Sequence, residues 1–224
     1  MNKPDKRYDT FFASILKRFL EFPENIRILT WNYDYQFELT FSQYRNKNDL
    51  SSFKHQLHIR SKFDNDYDYQ DDKFGLYKLN GTTGLYSNNE FDQYFYTNNL
   101  NVSFNKQFVE KLVRAFTIST YSKYVYPGLS FAWEEENKSK TIKLAAKDTV
   151  NTTVLIIIGY SFPFFNRETD KDIIGNMKDL KKVYFQAPDA EILKERFQAI
   201  RDDIDDKSLV VKKDVDQFLI PNEL

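Results

Sequence analysis

From about residue 152 onward, short apolar runs alternate with amphipathic segments, and this alternation limits the fold more than any other feature of the sequence. The runs have the length of strands, and the segments between them have the length of helices. They predict strands at 153–158, 182–186 and 208–211, separated by helices at about 168–180 and 189–201. Strands that are joined through helices run parallel, with helices on both faces of the sheet. The sequence therefore predicts an α/β fold with a mostly parallel sheet.

The preceding part of the chain carries the same kinds of element in a less regular order. A helix is predicted at 10–21, with Asp9 or Thr10 as its N-cap, and Pro23 ends it. The other predicted elements are a buried strand at 26–31, a helix from about 33 to 44, a strand at 77–79, and helices at about 104–116 and 133–147. We expect one domain over residues 1–224, with loop-rich or helix-rich insertions at roughly 45–75 and 85–150.

Polar residues follow three of the predicted strands. They are Asn32 and Asp34 after the strand at 26–31, Asn80 after the strand at 77–79, and Gly159, Tyr160 and Ser161 after the strand at 153–158. In an open α/β sheet, ligands bind at the carboxyl ends of the strands. The three clusters therefore predict one shared ligand site.

Each cluster also has a purely structural interpretation. Asn and Asp are favoured at helix N-termini, so Asn32 and Asp34 also fit the start of the next helix. Gly159 suits a tight exit from a parallel strand as well as the close approach of a phosphate or ribose. Asn80 with the glycine after it is also an ordinary turn signal. Spacing alone leaves both interpretations open.

The charge balance removes several classes of function. The net charge is −1 and the pI about 6.2, which gives no electrostatic basis for binding nucleic acid or an anionic membrane. No apolar run approaches the roughly 18 residues that a membrane-spanning helix needs. The basic residues near the N-terminus are not followed by an apolar segment, so we expect no secretory signal and a cytoplasmic location.

The sequence offers few residues for metal binding or thiol chemistry. The chain has no cysteine, which excludes disulfides, a thiol nucleophile and a cysteine-built zinc site. His55 and His58 lack a defined third ligand. The acidic stretch at 64–72 begins like a calcium loop, but Tyr69 stands where that loop needs glycine and Gly75 where it needs a bidentate glutamate. We predict a solvated loop there and no metal site.

Together, these motifs resemble the sirtuin-like family of bacterial NAD-binding and NAD-hydrolysing domains, over about Ile26 to Ile200. The segments that carry the resemblance are Leu29-Thr30-Trp31-Asn32-Tyr33-Asp34, Lys78-Leu79-Asn80-Gly81, Ile156-Ile157-Ile158-Gly159-Tyr160-Ser161-Phe162-Pro163-Phe164-Phe165-Asn166-Arg167 and Val183-Tyr184-Phe185-Gln186-Ala187-Pro188. The third segment is the most specific. The resemblance implies a Rossmann-like fold with a site for NAD or ADP-ribose.

The resemblance also implies catalytic residues. Asn32 matches the catalytic amide near the nicotinamide ribose and its attacking water, and Asp34 matches the acidic residue of the same motif. Asn80 stands where active members usually carry histidine. An imidazole takes up a proton near neutral pH, whereas an amide does not. Asn80 could still position a ribose hydroxyl or water, so we expect weakened or altered chemistry.

The dinucleotide contacts are implied in the same way. Gly159, Tyr160 and Ser161 match the strand-end loop that contacts the dinucleotide, and Gln186 lies where the family often places a contact to the adenine-side ribose. The family's N-terminal strand with its glycine-rich turn has no counterpart, since no glycine precedes Gly75. This leaves open a fragment of a longer product, or a divergent member that fills the gap otherwise, for example with the segment at 10–21.

The absence of cysteine points the resemblance to the zinc-free, NAD-degrading branch, several members of which act in anti-phage defence by exhausting NAD. The expected reaction is cleavage of the nicotinamide–ribose bond. A non-catalytic module that binds NAD or ADP-ribose, and a structural remnant that binds no nucleotide, are the alternatives. Active relatives are commonly multimeric, which leaves a homo-oligomer or a defence-system partner open.

Overall fold

The computed structural model describes residues 5–16, 21–45, 56–61, 73–87, 105–121, 125–131 and 140–223. Its contacts divide the chain into two units. The first, here called the C-terminal unit, comprises Met1–Arg27, Gln70–Phe74 and Ala132–Leu224; the second, here called the middle unit, comprises Ile28–Tyr69 and Gly75–Phe131. The prediction that these units form one domain stays a prediction.

Helices and parallel strands together make the described chain a mixed α/β protein. The strands are β1 (Arg27–Thr30), β2 (Ile59–Arg60), β3 (Gly75–Lys78), β4 (Gly81–Ser87), β5 (Val125–Leu129), β6 (Val154–Ile158), β7 (Lys182–Gln186) and β8 (Leu209–Lys212). The helices are α1 (Lys6–Ile15), α2 (Gln36–Arg45), α3 (Lys106–Tyr121), α4 (Lys140–Asp148), α5 (Arg167–Ile174) and α6 (Ala190–Gln198). No described helix is long and apolar enough to cross a membrane.

The C-terminal unit contains the predicted alternation of strands and helices. Strands β6, β7 and β8 form a parallel sheet in that order, with Ile156 opposite Tyr184 and Phe185 opposite Val211. Strand β7 is central, and its residues from Val183 to the strand end are all buried, as expected for a parallel strand covered on both faces. The three predicted strands are confirmed to within one residue at each end.

Three helices of this unit have other bounds than predicted: α1 covers 6–15 instead of 10–21, α5 ends at residue 174 instead of 180, and α6 ends at residue 198 instead of 201. Helix α1 starts at Lys6 because the Asp5 carboxylate accepts a 2.9 Å hydrogen bond from the Arg7 backbone N–H and caps the helix earlier than Asp9 or Thr10. Helix α5 ends at Ile174 instead of continuing to residue 180. Gly175 follows it, and the chain then turns back so that Lys178 N–H donates to the carbonyl of Val150 at 2.9 Å.

The middle unit contains two sheets, one of three strands and one of two. One has the order β1-β3-β2, with β2 parallel to β3. The other is the antiparallel pair of β4 and β5, which the sequence did not predict. Gly81, at the start of β4, has φ +69°, and a Cβ there would lie 2.1 Å from the Gly128 carbonyl oxygen. The Asn80-Gly81 turn signal therefore marks the entry into a close strand pair, where only glycine fits.

Candidate functional site

The segment after β1 carries two of the predicted catalytic residues. Asn32 is exposed, and its backbone N–H donates to the Thr30 hydroxyl at 3.0 Å. Asp34 is also exposed, and its carboxylate accepts a 3.1 Å hydrogen bond from the N–H of Gln36, the first residue of α2. The helix-start interpretation of Asp34 therefore matches its observed contact, while the Asn32 amide is exposed to solvent.

Asn80 connects this segment to the turn after β3. Its side-chain N–H donates to the Trp31 carbonyl at 2.8 Å, and its backbone carbonyl accepts from Ser130 N–H at 2.9 Å. The Leu79 N–H also donates to the Thr30 carbonyl at 2.9 Å. The structure therefore brings Asn80 next to the 31–34 segment, as expected for polar residues at the ends of neighbouring strands.

A buried ion pair lies beside this cluster. The Lys78 ammonium is 2.7 Å from one Glu38 carboxylate oxygen and donates to the other at 3.0 Å, and their side chains are 2% and 1% exposed. The ammonium also donates to the Asp34 carbonyl and lies 5.1 Å from the centre of the Tyr35 ring. Three groups, the Glu38 carboxylate, the Asp34 carbonyl and the Tyr35 ring, therefore compensate one buried cation.

Sequence analysis missed this ion pair, although each partner left a signal. Glu38 interrupts the apolar face of α2 between Phe37 and Phe41, and Lys78 is the last of the four buried residues of β3. A charged residue on an apolar face is buried only when it is paired, because removing a charge from water is costly. The two signals lie 40 residues apart, and nothing in the sequence relates them.

The loop after β6 carries three predicted dinucleotide-binding residues. Gly159 has φ +61° and is exposed, and a Cβ there would meet no atom within 4 Å. The Gly159 N–H donates to the Gln186 carbonyl at the end of β7, at 3.0 Å. Ser161 is exposed. Gly159 therefore lies next to Gln186, and its face toward solvent is open.

Tyr160 points away from this open face into a buried polar cluster. Its hydroxyl is 3.0 Å from both carboxylate oxygens of Asp170 and accepts from the Asn166 amide, also at 3.0 Å. Burial raises the pKa of Asp170 to about 7, although the hydrogen bond from Tyr160 acts in the opposite direction. Burial, and then the Asp170 charge, raise the pKa of the Tyr160 hydroxyl. Tyr160 therefore anchors the loop, and sequence analysis missed both of its partners.

Gln186 makes contacts that account for its whole amide group. Its amide nitrogen donates to the carbonyls of Asp214 and Gln217, at 2.7 and 2.6 Å, and its amide oxygen accepts from Leu219 N–H at 2.9 Å. These bonds hold the segment after β8 to the end of β7. A ligand contact of Gln186, as the resemblance implies, would have to exchange one of them.

The predicted site residues belong to different units. Asn32, Asp34 and Asn80 are in the middle unit, and Gly159, Tyr160, Ser161 and Gln186 are in the C-terminal unit. Within each unit the structure brings the predicted residues together. A single site built from both groups stays a prediction.

Metal binding has no candidate in the part of the chain that the structure describes. No group of three or more His, Cys, Asp or Glu side chains among those residues could hold an ion. The acidic stretch at 64–72 and His55 lie outside the described residues.

Comparison with known proteins identifies no relative of this chain. No family model, curated protein or solved structure matches the chain. The sirtuin-like assignment therefore rests on the sequence motifs and stays a prediction.

Proposed function

We propose that this chain is a Rossmann-like domain of the sirtuin-like type that binds NAD or ADP-ribose. The observation that carries the proposal is the loop after β6, where an exposed glycine with φ +61° and an exposed serine follow the carboxyl end of a parallel strand. Ligands of open α/β sheets bind at such strand ends. The open space over Gly159 supports a ligand there.

The proposed reaction is hydrolysis of the nicotinamide–ribose bond. A water oxygen bonds to the ribose carbon, nicotinamide leaves with the electron pair of the broken bond, and one proton is released with ADP-ribose. Asn32 would order the water, and its exposed amide supports that role. Asp34 is the second residue of the motif, although its carboxylate is engaged with Gln36 N–H. The proposed activity is that of the NAD hydrolases that act in anti-phage defence, as the resemblance implies.

A non-catalytic NAD-binding or ADP-ribose-binding module is the second candidate. Asn80, which stands where the family has histidine, favours it for two reasons. Its amide N–H is already engaged with the Trp31 carbonyl. An amide also has no basic nitrogen that could accept a proton. In this candidate the chain binds the nucleotide and releases no nicotinamide.

A proton NMR time course of NAD with the purified chain separates these candidates. Saturation transfer to the ligand reports binding, and free nicotinamide reports hydrolysis. We expect both signals for a hydrolase, and saturation transfer alone for a binding module. The absence of both signals contradicts both candidates and supports a remnant that binds no nucleotide.

Substitution of Asn32 by Ala tests its role directly. If Asn32 orders the water, nicotinamide release falls by about 100-fold or more while the thermal unfolding curve stays unchanged, because the side chain is exposed. Asn151→Ala is the matched control, since it removes another exposed amide, just before β6. Unchanged release in Asn32→Ala contradicts the role. A gain of release in Asn80→His identifies the amide as the cause of weak activity.

A further inference from the structure

The loop Gly159–Phe162 is held in a conformation that its local sequence does not favour. Phe162 has φ +51°, in the left-handed region that a side chain of this size rarely adopts. Its buried ring lies 5.0 Å from the Tyr160 ring and 6.4 Å from the Phe197 ring, measured between centroids. These contacts, with the Tyr160 hydroxyl bonded to Asp170, keep the loop in place. Ser161 lies between the two anchoring side chains and faces solvent.

Arg196, on helix α6, makes a further contact with this loop. Its guanidinium donates to the Ser161 carbonyl at 2.5 Å, while the residue as a whole is exposed. Among the described residues, no carboxylate lies within ion-pair distance of Arg196. A guanidinium has five N–H donors, so the cation keeps its charge and most of its donors for another partner.

Ser161 adds further donors beside this cation. Within the described part of the chain, neither its backbone N–H nor its hydroxyl donates to a protein acceptor. Next to it, Gly159 leaves open space. An exposed guanidinium beside unengaged N–H and O–H donors is the arrangement that binds phosphate oxygens, because charge-assisted and often bidentate hydrogen bonds form there.

We propose that Arg196, which lies outside the motifs that carry the resemblance, binds the pyrophosphate of NAD or ADP-ribose beside Ser161. This inference rests on the proposed function. The Arg196 guanidinium supplies the positive charge, and the Ser161 N–H and hydroxyl supply further hydrogen bonds. The bond from Arg196 to the Ser161 carbonyl holds the guanidinium at the loop before the ligand arrives, which lowers the entropy cost of binding.

Calorimetric titration of the full chain at low salt tests this proposal with three probes. ADP-ribose carries the whole proposed ligand, inorganic pyrophosphate carries the charged part alone, and adenosine carries no phosphate. In Arg196→Gln we expect binding of ADP-ribose and pyrophosphate to weaken by about tenfold or more, the effect of losing hydrogen bonds to a charged group. Adenosine binding stays at its wild-type value.

Lys181→Gln is the matched control, because it removes one positive charge from an exposed residue that precedes β7, at the opposite end of that strand from Gln186. The control keeps wild-type affinity for all three probes. An equal loss in both variants indicates a general charge effect and overturns the role of Arg196. Arg196→Lys keeps the charge but loses the planar fork, so its affinity lies between those of wild type and Arg196→Gln.

The remaining outcomes separate this proposal from the proposed function. If ADP-ribose binds equally to wild type and Arg196→Gln, the inference is overturned while nucleotide binding stands. If wild type binds pyrophosphate through Arg196 but not ADP-ribose, the anion site is supported and the proposed function is overturned. Binding of none of the probes overturns both.

Discussion

The turn after β3 and the loop after β6 both follow parallel strands, contain a glycine with positive φ and lie beside a buried carboxyl group, yet they differ in what surrounds them. After β3, the buried carboxylate of Glu38 is paired with the Lys78 ammonium. After β6, the buried carboxyl of Asp170 contacts the neutral hydroxyl of Tyr160. Gly81 faces a backbone oxygen, whereas Gly159 faces open space.

This difference separates a packed region from an accessible one. The Asn80 side-chain N–H donates to the Trp31 carbonyl, and the Asn80 backbone carbonyl accepts from the Ser130 N–H. The turn after β3 therefore holds its own unit together. In the loop after β6, the anchoring groups point inward and leave Ser161 exposed. Of the two regions, the loop after β6 is the more accessible, which supports the ligand site proposed there, and the variants below test the contrast.

The largest effect is expected from Lys78→Met. The substitution leaves the Glu38 carboxylate buried and unpaired, which costs about 3–5 kcal/mol of the free energy of unfolding. Urea unfolding followed by circular dichroism measures this loss. The double variant Lys78→Met/Glu38→Leu removes both charges and recovers most of it.

The control for that variant is Lys182→Met. Its pair with Glu223 is exposed, with side chains 36% and 39% accessible, and solvent screens such pairs strongly. We expect a much smaller change in the free energy of unfolding than in Lys78→Met. Similar losses in the two variants would contradict the importance of burial for the Lys78–Glu38 pair.

The glycines of the two regions are expected to respond differently to alanine. A Cβ at position 81 would lie 2.1 Å from the Gly128 carbonyl oxygen, so the paired strands must move apart. We expect Gly81→Ala to lower the free energy of unfolding by about 2–5 kcal/mol, from overpacking and from positive φ. Gly159→Ala carries only the conformational cost, about 1–2 kcal/mol. Equal losses in urea unfolding would refute the packed-versus-open contrast.

Asp170 gives the loop after β6 a pH dependence of stability. Its pKa is raised from the ordinary 3.8 to about 7, so between these values the folded protein holds a proton that the unfolded chain has released. Stability contributed by this group is therefore present at low pH and lost as pH rises toward and through 7. From pH 5 to pH 8 we expect wild type to lose about 2–3 kcal/mol more than Asp170→Asn does.

Urea midpoints of wild type and Asp170→Asn at both pH values measure this difference. The comparison cancels the titration of all other groups, provided that the variant keeps the native fold, which the circular dichroism spectrum checks. Parallel pH profiles for the two proteins would show that the Asp170 carboxyl titrates at its ordinary pKa. A steeper loss in the variant contradicts the sign of the predicted effect.

Prediction from sequence succeeded where one local pattern was enough. The sequence predicts the strand at 182–186 at its observed bounds because the continuous apolar run Val183-Tyr184-Phe185 is typical of a parallel strand covered on both faces. The sequence predicts the start of α1 too late because Asp5, Asp9 and Thr10 are all acceptable caps, and the hydrogen bond from the Arg7 N–H to Asp5 decides between them. The β4–β5 pair was missed because its partners are distant in sequence and β4 lacks an alternating pattern.

The site residues divide in the same way. The sequence alone determined which side chains follow the strands, because strand ends are marked by the change from apolar residues to Asn, Gly and Ser. The tertiary structure decided the environment of each one: Asp34 starts a helix, Gln186 binds the segment after β8, and Tyr160 points inward to Asp170. Arg196 reaches Ser161 across 35 residues of sequence. Burial and partner choice depend on contacts between distant segments, which local patterns do not encode.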